Sequence, residues 1–536
     1  MKKGVLFVLL LVNFGFSQED AWVFFTNKPN SATYLANPLT MLTQRSLDRR
    51  VAQGIPLDLL DVPIAQTYID QVNAATGITV MAKSKWLNAL HVRGSQANIQ
   101  ALSTLSFISS IRFANHSLNG RYSNVIDTIQ PIQKQLDVNV TFNYGTSANQ
   151  IQMLNGHILH QQNFTGAGKI IAVLDSGFQN VNVALPFQRL FANNLILGGY
   201  NYVSQNTNVY ALHNHGTMVL SCMGGYVDGQ LVGTAPDAQY YLFVTEDVAA
   251  ENPVEESYWV QAAEEADRLG ADVITSSLGY FAYDNPSYNH TYNQMTGNVA
   301  FASRGANIAF SKGIVVIASA GNSGATADPY VGVPAEATNV LAVGAVRNDE
   351  IYATFSSIGP SFDGRVKPDI MAQGQAAVVA DTSGAIVTAN GTSFSAPIMA
   401  GMVTSFWSAV PSLTAAQIVQ LVKQSADRFT APTSLYGYGI PDFQLALTNA
   451  LHLDDIENNG YAIYPNPMSY EIKVDLPSNS RNTRLFLYNN LGQQVWDQMV
   501  PSDFQTIDVT HLSPGIYFYI INTNNKTLQE NLLKKK

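Results

Sequence analysis

Residues 255–276 read EESYWVQAAEEADRLGADVITS, and this stretch decides the fold. Its first fifteen residues space apolar side chains three and four apart, the pattern of an amphipathic helix. Gly270 stands where such a helix stops in the left-handed conformation, which glycine adopts without steric cost. A short apolar run, 271–276, follows at once and reads as a buried strand. Residues 298–319 repeat the arrangement, with a helix over 298–312, Gly313 as its stop and a strand over 314–319. A third apolar run, 169–174, ends at Asp175. Apolar strands alternating with helices predict a parallel sheet covered on both faces, an α/β domain. Functional side chains in such sheets collect at the carboxyl ends of the strands. A capping-box pattern, Thr414-Ala-Ala-Gln417, opens a late helix over 414–425.

Outward from this centre the patterning changes twice. Toward the N-terminus, residues 18–116 read as a compact α+β unit. Its strand-like runs lie at 21–26, 78–92 and 107–113, and a short helix at 96–105. A polar, weakly patterned linker, 117–144, joins this unit to the α/β domain at 145–450. Beyond it, 454–536 carries short strand-like segments at 471–476, 484–488, 506–509 and 515–522. Tyr464-Pro-Asn-Pro467, Asn490-Leu-Gly492 and Ser513-Pro-Gly515 punctuate them, as in a small β-sandwich. The chain opens with Lys2 and Lys3, an apolar stretch at 5–16 and the small residues Gly15 and Ser17. That stretch is too short to span a bilayer, so residues 1–17 are expected to be a signal peptide.

The 536 residues suit three or four domains. A hydrophobic content of 46% with only 13% charged residues supports large buried cores and argues against long disorder. A net charge of −10 with no basic stripe argues against nucleic acid as a partner. Cys222 is the single cysteine, so no disulfide can form within the chain. In its apolar surroundings it reads as a small core residue.

Three segments carry the chemistry: Ile171-Ala-Val-Leu-Asp175-Ser-Gly177, His215-Gly-Thr-Met-Val219 and Asn390-Gly-Thr-Ser393-Phe-Ser-Ala-Pro397. Singly, each has a bland reading as a turn, a structural histidine or a helix start. Together they supply what a serine nucleophile needs. Its hydroxyl is weak at neutral pH, so it requires a base within reach, and the base requires a carboxylate to hold its tautomer. Residues 394–410 are apolar almost all round and read as a buried helix with Ser393 at its N-terminal end, where the dipole favours negative charge.

On these motifs, in this order, the chain resembles the subtilisin family of peptidases. Further matches are Ser319-Ala-Gly-Asn322-Ser-Gly324, Ser277-Leu-Gly279, Phe355-Ser-Ser-Ile-Gly-Pro360 and Lys367-Pro-Asp369. The resemblance covers 145–450 and implies an α/β, subtilisin-like parallel sheet flanked by helices. It implies a secreted serine endopeptidase with Asp175, His215 and Ser393 as triad and Asn322 at the oxyanion hole. Ser277, Leu278 and Gly279 would pair with substrate, and Ala320 and Gly321 would wall the pocket. It implies no cofactor for the chemistry, and structural calcium that maps to no residues here. Met218 stands where many relatives have a second histidine, and Ser395-Ala-Pro397 replaces the commoner Ala-Ser-Pro. His213 is expected to be a loop residue, because Gly-Thr follows His215 instead. Residues 18–116 resemble the propeptide of these enzymes, an intramolecular inhibitor that assists folding. The segment from Tyr464-Pro-Asn-Pro467 through Gly515-Ile-Tyr517 to Lys536 resembles the sorting domain of the type IX secretion system. The expected partners are therefore protein or peptide substrates, the propeptide and secretion machinery. The protein is expected to be a monomer at the cell surface or outside the cell.

Overall fold

Along the strand Ile170–Asp175, successive side chains enter different cores. Ile171 and Val173 pack with Leu220, Phe406 and Trp407, whereas Ile170, Ala172 and Leu174 pack with Trp259, Ala263 and Ala306. This alternation is the period-two geometry of a strand buried on both faces, and it makes the domain three-layered.

A computed structural model describes residues 18–119, 142–454 and, beyond these, 462–464, 468, 470–476, 483–489, 492–500, 504–523 and 526–534. The expected signal peptide, and all of the expected linker except 117–119 and 142–144, lie outside the described residues.

The N-terminal unit is a four-stranded antiparallel sheet of β1 (Gln18–Phe25), β2 (Ile78–Ser84), β3 (Ala89–Ser95) and β4 (Ile108–Phe113), in the order β2-β3-β1-β4. The 78–92 run turns back on itself at Asn88, whose φ of 48° suits asparagine, and so becomes two strands. Between β1 and β2 lie a short helical turn, Ser31–Leu35, and two longer helices, α1 (Gln44–Ala52) and α2 (Gln66–Asn73). The expected helix at 96–105 is α3 (Gln96–Ala101) followed by a tighter turn, Leu102–Thr104.

The central sheet has seven strands, all parallel: β5 (Ile170–Asp175), β6 (Ile196–Asn201), β7 (Gln239–Val244), β8 (Val273–Ser276), β9 (Val315–Ser319), β10 (Leu341–Val346) and β11 (Ile370–Gln373). Their order is β11-β10-β9-β8-β5-β7-β6. One face carries α4 (His215–Gly224) and the long α7 (Thr392–Ala409). The other carries α5 (Val254–Leu269) and α6 (Phe301–Ser311). Gly270 and Gly313 follow α5 and α6 at φ of 85° and 84°, as the sequence reading requires. Of the 18 residues in α7, only Ser408 is not buried. An all-apolar helix is stable only where its whole circumference is packed. The late helix, α8 (Ala415–Gln424), opens with both bonds of the Thr414–Gln417 capping box.

The N-terminal sheet lays one face on α5 and α6. Ala21, Val23 and Phe25 point into its own core, while Trp22 joins Phe301 and Tyr258 in the core of the central domain. The C-terminal strands form a three-stranded and a four-stranded antiparallel sheet around a separate core that includes Ile472, Val474, Leu485, Leu487 and Ile521.

Candidate active site

Asp175 is the last residue of β5 and is fully buried. His215 is the first residue of α4, and its Nδ1 lies 2.8 Å from Asp175 Oδ1. The same oxygen accepts from the Ser176 backbone N–H at 2.8 Å and the Ser176 hydroxyl at 3.2 Å. The glycines beside these residues allow the approach. A Cβ on Gly216 would stand 2.5 Å from the Gly177 carbonyl oxygen and 3.0 Å from Asp175 Cβ. Burial disfavours a charged imidazole, but the Asp175 carboxylate outweighs it by charge and by hydrogen bond, and Glu246 adds to the effect. His215 is thereby held above the ordinary histidine value.

Ser393 is the second residue of α7. Pro397 sits four positions further on and has no N–H to give the Ser393 carbonyl. That carbonyl instead accepts from the Ser277 hydroxyl at 2.9 Å, and the Ser393 hydroxyl donates to the Ser277 carbonyl at 3.2 Å. The proline of the Gly-Thr-Ser-x-x-x-Pro motif thus frees the group that ties α7 to the segment after β8. His215 lies beside this helix end, its ring 6.1 Å from that of Phe394. Among the described residues no hydrogen bond joins His215 to Ser393.

Asn322 follows β9 in an exposed turn. Its Oδ1 accepts from the Thr392 backbone N–H at 2.9 Å and the Thr392 hydroxyl at 3.0 Å. The hydroxyl in turn accepts from Gly321 N–H at 3.2 Å. With the oxygen occupied twice, the Nδ2 donors of Asn322 make no hydrogen bond among the described residues. Sequence reasoning quoted Thr392 within its motif but did not see this orienting role, which depends on a residue 70 positions away.

Ser277 and Ala320 are buried, Leu278 and Gly321 half-buried and Gly279 exposed. The backbone groups of Leu278 and Gly279 make no hydrogen bond among the described residues, so this segment offers free edge groups to an extended peptide. Next to it, the Tyr280 hydroxyl donates to Glu246 Oε1 at 2.8 Å. Glu246 also accepts from Thr245 at 2.7 Å; burial pushes its carboxyl up to about 7, with Glu251 and Asp175 pushing the same way. Nothing in the sequence motifs marks Glu246, which reaches this region only because β7 lies beside β5. His213 lies in the loop before α4, 3.2 Å from the Ser176 hydroxyl. Cys222 is buried in the core, and burial raises its thiol pKa. Among the described residues no group of three or more His, Cys, Asp or Glu is gathered as a candidate metal cluster.

Reactive groups drawn from five chain segments meet where the central strands end, on a sheet buried on both faces. The class of this protein, the serine endopeptidases among the hydrolases, is given by its matches to known proteins. Residues 166–439 match the Subtilase family, and the chain belongs to that family. Residues 20–130 match the Peptidase S8 propeptide domain of Bacteroidota, and residues 462–535 the Secretion system C-terminal sorting domain. Subtilisin NAT of Bacillus subtilis subsp. natto is 30% identical over 302 residues, covering 55% of this chain and 70% of that protein. Subtilisin of Bacillus pumilus is 30% identical, covering 55% of this chain and 97% of its own. Serine protease AprX of Bacillus subtilis is 27% identical over 356 residues, 61% of this chain and 75% of that one. The crystal structure of MycP1 with the N-terminal propeptide removed is 25% identical with a TM-score of 0.45, covering 56% of this chain and 96% of that one. The protein is thus a subtilase peptidase with a propeptide domain and a sorting domain for secretion and the cell surface. No helix among the described residues is long and apolar enough to cross a membrane.

Proposed function

We propose that the protein is a zymogen-like endopeptidase that hydrolyses peptide bonds through Asp175, His215, Ser393 and an acyl-enzyme. The Ser393 hydroxyl turns from the Ser277 carbonyl to His215 Nε2 and gives up its proton as it attacks the substrate carbonyl. Asp175 holds the His215 tautomer through Nδ1–H and balances the imidazolium that forms. The developing oxyanion takes hydrogen bonds from Asn322 Nδ2 and from the Ser393 N–H, one of the free donors at the start of α7. His215 then protonates the leaving amine, and water activated by the same base releases the acyl group. Every step is assigned to a side-chain or backbone group of this chain.

The observation that carries this reading is the 2.8 Å Asp175–His215 bond beside the N-terminus of the buried helix that bears Ser393. The free edge at Leu278 and Gly279, beside Ser277, favours peptides over small esters, and Ala320 and Gly321 would wall the pocket. In this reading the signal peptide is 1–17, the propeptide 18–116, a linker 117–144, the peptidase domain 145–450 and the sorting domain 454–536. The propeptide blocks its own peptidase until cut, and the active protein is a monomer. A fluorophosphonate probe should label Ser393 in the processed protein, and labelling should be lost in His215→Ala. Casein should be cleaved well and short acyl esters poorly; labelling of another residue, or esterase activity alone, refutes the assignment.

A further inference from the structure

Between β1 and α2 the N-terminal unit carries some forty residues that belong to none of its strands. They reach the central domain at the end of the sheet opposite Ser393. Helix α1 within this segment ends on the turns that close α5 and α6. Arg45 donates to the Gly270 carbonyl at 3.1 Å, the Gly168 carbonyl at 3.0 Å and the Asp272 carboxylate at 2.6 Å. Arg49 donates to the Ala271 carbonyl and, at 2.6 Å, to Asp267. Arg50 forks between Asp61 of its own segment at 2.7 Å and both oxygens of Asp267 at 2.8 and 3.0 Å. Gln53 bridges the Gly313 carbonyl and the Ala415 N–H, both at 2.9 Å. In the reverse sense, Lys312 of the central domain donates to Asp58 at 2.8 Å and Asp61 at 3.3 Å.

Two features make this a docking site instead of a chance of packing. First, charge meets opposite charge across the contact, and two buried charges of the central domain find their ion-pair partners in this unit. Asp267 is fully buried against Arg49, Arg50 and Lys85, and the Lys312 ammonium, 1% exposed, pairs among the described residues with Asp58 and Asp61, whereas Asp272 is shared between Arg45 and Lys169 of its own domain. Second, the guanidinium groups of Arg45 and Arg49 meet carbonyls at the C-terminal end of α5, where unpaired carbonyls and the negative dipole end favour them. Gly270 and Gly313 let α1 come close. A Cβ on either would stand 2.8 Å from Arg45 Cγ or from Gln53 Nε2.

The site is remote from the reactive serine. Asp272 precedes β8 and binds the N–H of Ile170, the first residue of β5, at 2.8 Å. Asp175 ends the same strand five residues later, which at 3.3 Å per residue is about 16 Å away.

We propose that the C-terminal turns of α5 and α6, with Asp267, Asp272 and Lys312, form an arginine-binding docking site that holds helix α1 and keeps the propeptide on the enzyme after its covalent link is cut. The proposal rests on the zymogen reading above. The site lies too far away to act on the substrate groove directly, so it works by tethering and keeps the severed end at high local concentration near the groove.

The test uses the full chain, allowed to process, then diluted and resolved by size exclusion with intact mass detection. The cleaved propeptide should stay with the wild-type enzyme. Arg50→Ala takes the bidentate partner from Asp61 and one of its three cations from Asp267, both buried, and should release it on the order of a hundredfold faster. The doubly substituted Arg45→Ala, Gln53→Ala chain, which leaves those buried pairs intact, should release it roughly tenfold faster and serves if Arg50→Ala fails to fold. Peptide turnover per titrated active site, once the propeptide has gone, should equal wild type. Hydrogen exchange on the uncut chain adds a readout that needs no cleavage. Residues 44–53 and 266–272 should lose protection together in the variants while β1 to β4 keep theirs. Wild-type release rates and exchange in folded variants overturn the docking site. Absence of processing in wild type with the exchange result intact overturns the zymogen reading alone.

Discussion

Thr392→Val is the sharpest probe of how the oxyanion donor is aimed. Thr392 is fully buried, and valine keeps its shape while deleting the hydroxyl. Two hydrogen bonds go with it, one to Asn322 Oδ1 and one from Gly321 N–H. The Thr392 backbone N–H still holds Asn322 at 2.9 Å, so the amide keeps one of its two restraints. At ~1 kcal/mol for each bond the loss lies between fivefold and about thirtyfold. It should fall on kcat with KM unchanged, because the oxyanion exists only after attack. Asn322→Ala removes the donor itself, a change that costs about 10²–10³ when made in subtilisin. The assay is a double-mutant cycle on a peptide substrate. If Thr392 acts through Asn322, Thr392→Val should cost less than about twofold in the Asn322→Ala background. Equal losses in both backgrounds, or a loss confined to KM, refute the reasoning.

Four further outcomes are expected. Ser393→Ala should lose activity by about 10⁶, the loss known for subtilisin, and should accumulate with its propeptide attached, as read by gel and intact mass when no other protease can act. Because His215 is held above the ordinary value, its charged form persists to higher pH and kcat/KM should fall on the acid side with a midpoint above about 6.5. Glu246→Gln removes a carboxyl that, pushed up to about 7, is partly ionised near this midpoint and there favours the imidazolium, so the midpoint should move modestly to lower pH; a pH–rate profile with an unmoved midpoint contradicts that link. A chain ending at Asp454 should stay folded and active but remain in the periplasm, since the C-terminal strands have their own core while Phe443, Ala446 and Ala450 belong to the central one. Normal appearance of that truncated chain outside the cell, measured by fractionation, excludes the sorting role.

Much of the architecture follows from local pattern. The helix–glycine–strand units at 255–276 and 298–319, the largely apolar α7 and the Thr414 capping box needed only periodicity, the conformational freedom of glycine and local capping chemistry, and they stand where the sequence placed them. The motifs likewise named Asp175, His215, Asn322 and Ser393 as candidates before any fold was known. What tertiary structure alone decided is how distant groups are paired. Strand order brought Glu246 toward His215, and helix packing set the Ser277 hydroxyl on the carbonyl that Pro397 leaves free, across 116 positions. Helix α1 carried no signal of its role, because Arg50 and Asp267 are 217 positions apart. Periodicity records only which face of an element is buried. A buried charge is stable only against a particular partner, and that partner is chosen by the three-dimensional fold.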